Sequence, residues 1–141
     1  MIYKKEQAIH SLKPNAQFNW VGTDYSGLQW LDSGTAPTEA ELDTEVTRLN
    51  NAEPMRLLRI ERNKLLSDCD WTQSRDLTLS NDADWKTYRK SLRDLPASAS
   101  PKLDSYGDLD LTSVTWPTKP SYEISQFKIL ITKYLKIRWH T

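Results

Sequence analysis

The sequence predicts an α+β protein, mainly α, in a chain of 141 residues. Three observations carry this. Leu42, Val46 and Leu49 follow Pro37-Thr38-Glu39-Ala40-Glu41 on one helical stripe. Trp85, Tyr88 and Leu92 form a second stripe, with Asp84 near its start and Arg89, Lys90 and Arg93 near its end. Phe18, Trp20, Leu28 and Trp30 alternate with polar neighbours on either side of a glycine-bearing loop, the pattern of two paired strands. The expected architecture is an N-terminal aromatic β-hairpin, a kinked helix pair, a helical hairpin and an extended C-terminal tail.

In chain order, Met1 to Leu12 offers a short helix in which Ala8, Ile9 and Leu12 share a face, and Pro14 prevents its continuation. The hairpin turns through Gly22–Gly27, and its aromatic face needs a packing partner because two strands alone are marginal. Thr38 and Glu41 have the spacing of a capping box, in which the hydroxyl and the carboxylate each take an amide proton at the helix start. Pro54 has no amide proton and clashes with the carbonyl four residues back, so a break or kink is expected near Asn50–Asn51. A second helix is expected from Met55 to Ser67, either separate from the first or joined to it as one long kinked rod. Asp68 to Asn81 reads as a loop. A helix capped by Asn81 or Asp82 is expected to run to Arg93 and stop at Pro96. The next stretch, ASASPKLDSYGDLD, reads as a mobile linker, and TSVTWPTKP as extended, with Val114 and Trp116 on one side. From Tyr122 onward the chain is apolar and basic, and Phe127, Ile131 and Leu135 fit both a strand and a helix. The resulting division is 1–36, 37–96, 97–121 and 122–141.

Composition narrows the function classes. Nineteen basic residues balance nineteen acidic ones, so no global attraction to nucleic acid or a membrane surface is expected. Zero net charge also puts little repulsion in the way of association, with a partner or with further copies of the chain. Cys69 is the single cysteine and cannot form an intrachain disulfide. No apolar run approaches membrane-span length, and the N-terminus lacks the apolar core of a signal peptide, which points to a cytosolic protein.

Residues suited to catalysis are sparse. The two histidines, His10 and His140, sit in no recognisable motif, and one cysteine with two distant histidines argues against zinc. Four scattered glycines make no phosphate loop. Asp68/Asp70 and Asp82/Asp84 have the spacing of residues that satisfy amides at helix ends. Cys69 reads as a structural thiol. No catalytic residue, metal ligand or cofactor is expected, and the chain is read as a non-enzyme. The predicted core comprises Leu58, Leu65, Leu66, Trp71, Trp85, Tyr88 and Leu92. Arg59, Arg62, Arg89 and Arg93, with Trp20 and Trp30, are the expected partner-binding residues, because arginine and large aromatics dominate protein interfaces.

The stretch from Arg56 to Pro120 resembles the tail assembly chaperone family of tailed bacteriophages. The resemblance is carried by Arg59, Arg62, Asn63 and Leu66, then Asp70-Trp71-Thr72 and Asp76, then Trp85, Tyr88-Arg89, Leu92-Arg93-Asp94 and Pro96, with a later Trp116-Pro117. The loop from Gln73 to Leu79 lacks the proline often found there, and the block after Tyr122 lies outside the pattern. The resemblance implies binding of a phage tail or tail-fibre protein during morphogenesis, in the cytoplasm of the infected host. A structural part retained in the virion tail is the alternative it leaves open.

Overall fold

The computed structural model describes residues 2–122. Helix dominates it. The main elements are α1 (Lys5–Leu12), β1 (Phe18–Trp20), β2 (Leu28–Trp30), α2 (Glu39–Asp68) and α3 (Asp82–Ser98), with short 3-10 turns at Tyr25–Gly27, Asp70–Gln73 and Leu111–Ser113. The tail expected beyond Tyr122 lies outside the described residues. Two compact units result. Among the described residues, one comprises residues 2–56 with Leu103–Leu109, and the other Leu57–Lys102 with residues 110–122.

In the first unit, β1 and β2 pair antiparallel with Phe18 opposite Trp30 and Trp20 opposite Leu28, the register that puts the alternating aromatics on one face. That face packs with Ala8, Ile9, Ala16 and Leu42. Gly27 is required at the turn. A Cβ there would stand 1.8 Å from the Val21 carbonyl oxygen. Leu12, expected on the inner face of α1, is instead 42% exposed, because α1 ends there and only Ala8 and Ile9 are enclosed.

The capping box at the start of α2 forms as its spacing dictates: the Thr38 amide donates to Glu41 Oε2 at 2.7 Å and the Glu41 amide to Thr38 Oγ1 at 3.3 Å. Of the two readings at Asn50–Asn51, separate helices or one long rod, the structure has the single rod. α2 runs unbroken for 30 residues with Pro54 inside it. An interior proline costs about 3 kcal/mol, and tertiary bonds to the helical turn before it, with a local Glu53–Arg56 pair across it, offset that cost. Asn50 accepts from the Ile2 and Tyr3 amides through Oδ1, and Glu53 accepts from the Tyr3 hydroxyl at 2.7 Å and from Arg56 at 2.6 Å.

Carboxylates are buried in this unit, each with an arginine. Glu45 is 8% exposed and accepts from Arg48 and from Ser11, and these bonds hold its carboxyl down to about 2 against the opposing effect of burial. Arg56 lowers the carboxyl of Glu53, which is 4% exposed, and the Tyr3 phenol that donates to Glu53 is held above its ordinary value.

The expected linker is ordered where it joins the first unit. Asp104 Oδ1 accepts from the Tyr106 and Asp108 amides, the Asp104 amide donates to the Asp108 carbonyl at 2.8 Å, and Leu103 bridges to Leu109. Gly107 supplies the positive φ (91°) that this turn needs.

The second unit is built on an aromatic core. Cys69, Leu79, Trp85, Tyr88 and Leu92 are buried together, with Leu65, Leu66, Leu77 and Trp116 against them. The expected loop from Asp68 to Asn81 contains the 3-10 turn Asp70–Gln73, closed by the Thr72 hydroxyl on the Cys69 carbonyl at 2.7 Å. α3 continues through Pro96 to Ser98 instead of stopping. A proline in the last turn forfeits a single amide bond, and the buried Leu95 beside it still accepts from the Ala99 amide at 3.0 Å. Leu111–Ser113 is a 3-10 turn, not extended chain; Asp110 caps it and its carboxyl is lowered by the Thr112 hydroxyl and amide.

Candidate functional site: an aromatic surface on the second unit

Three segments converge here. The 3-10 turn after α2 carries Trp71, α3 carries Trp85 and Tyr88, and the extended chain after Trp116 delivers Lys119 and Tyr122. Trp85 is fully buried, and its ring meets Tyr88 edge-on at 6.0 Å and Trp71 edge-on at 5.9 Å. Tyr122 stacks on Trp71 at 5.5 Å between ring centres and lies 5.7 Å from Trp85. Lys119 stands over the Tyr122 ring at 5.3 Å, and its hydrogen bond with Tyr122 raises the ammonium above its ordinary value. Burial pushes the Tyr88 phenol up.

The outer rings of this stack are open to solvent: Trp71 is 39% exposed and Tyr122 61%. Trp71, expected in the core, is therefore the rim of the aromatic cluster and not its interior. Beside the stack, α3 and the chain from Pro117 to Ser121 enclose a groove of about 520 Å³, lined by Asn81, Asp84, Tyr88 and Lys119 among others. Asn81 sits at the cap position of α3, but its side chain does not cap. Its Nδ2 donates to the Ser121 carbonyl at 2.8 Å, tying the extended segment to the helix start, while its backbone carbonyl accepts the Asp84 and Trp85 amides.

The six candidate binding residues are dispersed. Arg89 is largely enclosed, its side chain 15% exposed: Nη1 donates to the Leu66 carbonyl at 2.9 Å and approaches Cys69 Sγ at 3.2 Å, and Nη2 pairs with Asp70 at 2.8 Å. That places Arg89 as a clamp closing the end of α2 onto α3. Arg62 reaches the Arg93 carbonyl at 3.3 Å, bringing positions 62 and 93 together, while the side chains of Arg59 and Arg93 face solvent. Trp20 and Trp30 are half-buried against the aliphatic cluster of the first unit. Among the core candidates, Leu58, Trp85, Tyr88 and Leu92 are buried, and Leu65 and Leu66 pack against them. The Cys69 thiol donates to the Leu65 and Leu66 carbonyls.

Residues 55–121 match the family of phage tail assembly chaperone proteins. The match covers α3 whole, the later part of α2 and every ring of the aromatic stack but Tyr122, which follows directly. No curated protein and no solved structure gives a match. The match supports a phage tail assembly chaperone role in general terms. Among the described residues, no group of three His, Cys, Asp or Glu is placed to hold a metal, and no helix is long and apolar enough to cross a membrane.

Tyr122, Lys119 and Asn81 escape the sequence reading. Tyr122 falls in the compositional block that follows it, although Pro117 and Pro120 before it signal an extended chain able to carry a ring across a helix end. Nothing in the sequence discloses that Asn81 gives up its capping role to hold Ser121.

Proposed function

We propose that this protein is a non-enzymatic chaperone that binds a phage tail or tail-fibre protein during morphogenesis, in the host cytoplasm. The observation that carries the reading is the coincidence of the family match with the open aromatic stack of Trp71 and Tyr122 on the same stretch of chain. Large aromatic rings left in water are costly and are the side chains most enriched at the centres of protein interfaces. Arg59 and Arg93, exposed on the same unit, supply the polar margin. The mechanism is cover: apolar or edge-strand surface on the tail protein, which would otherwise aggregate before assembly, is held until incorporation.

Quantifying the protein in purified particles against the infected-cell lysate tests this. Abundance in the lysate and absence from particles is the expected result. A fixed copy number in every particle would make the protein a structural tail component instead.

A further inference from the structure

We propose that the cleft between Trp71 and Trp85 is a receptor for one aromatic side chain on an extended segment of the tail protein, and that Tyr122 is the chain's own stand-in for that side chain. The inference deepens the assembly reading and rests on it. Tyr122 shows what fits. Its ring lies 22° from parallel to Trp71, leans at 42° against Trp85 and takes a lysine ammonium on its face. Stacking and cation–π attraction both need a π-face, so an aliphatic side chain in the same place would gain neither.

The occupant is also held lightly. Tyr122 is 61% exposed and lies outside every helix and strand. Exchanging it for another ring exchanges like contacts for like. Beneath it, Trp85 is fully buried and its indole Nε1 has no hydrogen-bond partner among the described residues. A buried donor left unpaired disfavours the closed arrangement, and a carbonyl of an incoming segment would relieve it. Asn81, on the wall of the groove beside the stack, carries a buried Oδ1 that is likewise unpaired among the described residues and suited to an incoming backbone amide.

The test uses the full chain with nitrogen-15-labelled indoles and N-acetyl-L-tyrosinamide as the probe, with N-acetyl-L-leucinamide as control. In Tyr122→Ala, the Trp71 and Trp85 indole signals are expected to shift saturably with the tyrosine probe and not with the leucine probe. Wild type should bind the probe about tenfold more weakly, because its cleft is self-occupied. Trp71→Ala added to Tyr122→Ala should abolish the response. Equal response to both probes, or equal affinity in wild type and Tyr122→Ala, would overturn the proposal. Concentration-dependent dimerisation of wild type that Tyr122→Ala abolishes would also overturn it, assigning the cleft to a second copy. Tyr122→Leu, which keeps apolar cover but no π-face, repeats the test should the alanine variant lose its melting transition. The probe reports on the cleft alone, so its failure leaves the assembly role standing, and failure of the assembly role leaves probe binding intact.

Discussion

The two units solve the problem of a lean core differently. The first buries charge: Glu45 and Glu53 lie inside it, each neutralised by an arginine three residues on and by a hydroxyl from the N-terminal segment. The second buries rings, and its largest enclosed side chain is Trp85. Paired charges are sensitive to protonation and contribute modestly once desolvation is counted, whereas an aromatic core draws on burial and is indifferent to pH over the same range. The contrast teaches where each unit is vulnerable. The open aromatic surface belongs to the unit whose stability does not rest on buried carboxylates.

Trp85→Ala should break the aromatic core hardest, costing about 3–5 kcal/mol in denaturant unfolding, and an unchanged midpoint would remove Trp85 from the core. Arg89→Ala comes next. Its hydrogen bonds to Leu66 and Asp70 are charge-assisted, and their loss should cost about 2 kcal/mol, with Arg89→Lys recovering little because a lysine cannot bridge two directions at once. The first unit is probed by acid. The folded Glu45 carboxyl lies near 2 against an ordinary 4.5, so its stabilisation is complete above pH 4.5 and is lost as pH falls towards 2. Amide exchange in α1 and the hairpin should therefore accelerate over that window, and Glu45→Gln should flatten the response; equal acceleration in α3 would erase the distinction between the units. The smallest effect on folding is expected for Arg59→Ala with Arg93→Ala, within about 0.5 kcal/mol in the same unfolding assay, while capture of the tail protein weakens.

Legibility in the sequence followed the range of the interactions. The capping box and the existence of the hairpin rest on local pattern, and Thr38–Glu41 and the two aromatic strands could be placed from the chain alone. Pro96 misled, and Pro54 left two readings open. Pro54 and Pro96 are breakers by local rules, yet both sit inside helices, because Tyr3 and Asn50 in one case and the buried Leu95 in the other outweigh one missing amide bond. The segment read as a mobile linker was misjudged for a related reason. Asp104 looks like an ordinary turn residue until its carboxylate is seen collecting two amides. At the candidate site the arginines were visible as residue types but not as roles, since the acceptors of Arg89 lie 19 to 23 positions away.

The loop from Leu103 to Leu109 carries a practical corollary. It falls inside the stretch that matches the family, yet it folds with the first unit, where Ile2 Cδ1 lies 3.0 Å from where a Cβ on Gly107 would be and Ile2 and Asn50 line the same hollow as Ser105 and Tyr106. The family match therefore starts beside the second unit, which begins at Leu57, yet it encloses a loop that folds with the first. A fragment trimmed to residues 55–121 would carry this loop without its neighbours, turning Leu103 and Leu109 into adhesive surface. A fragment meant to keep that loop packed must retain Ile2 and Asn50 as well.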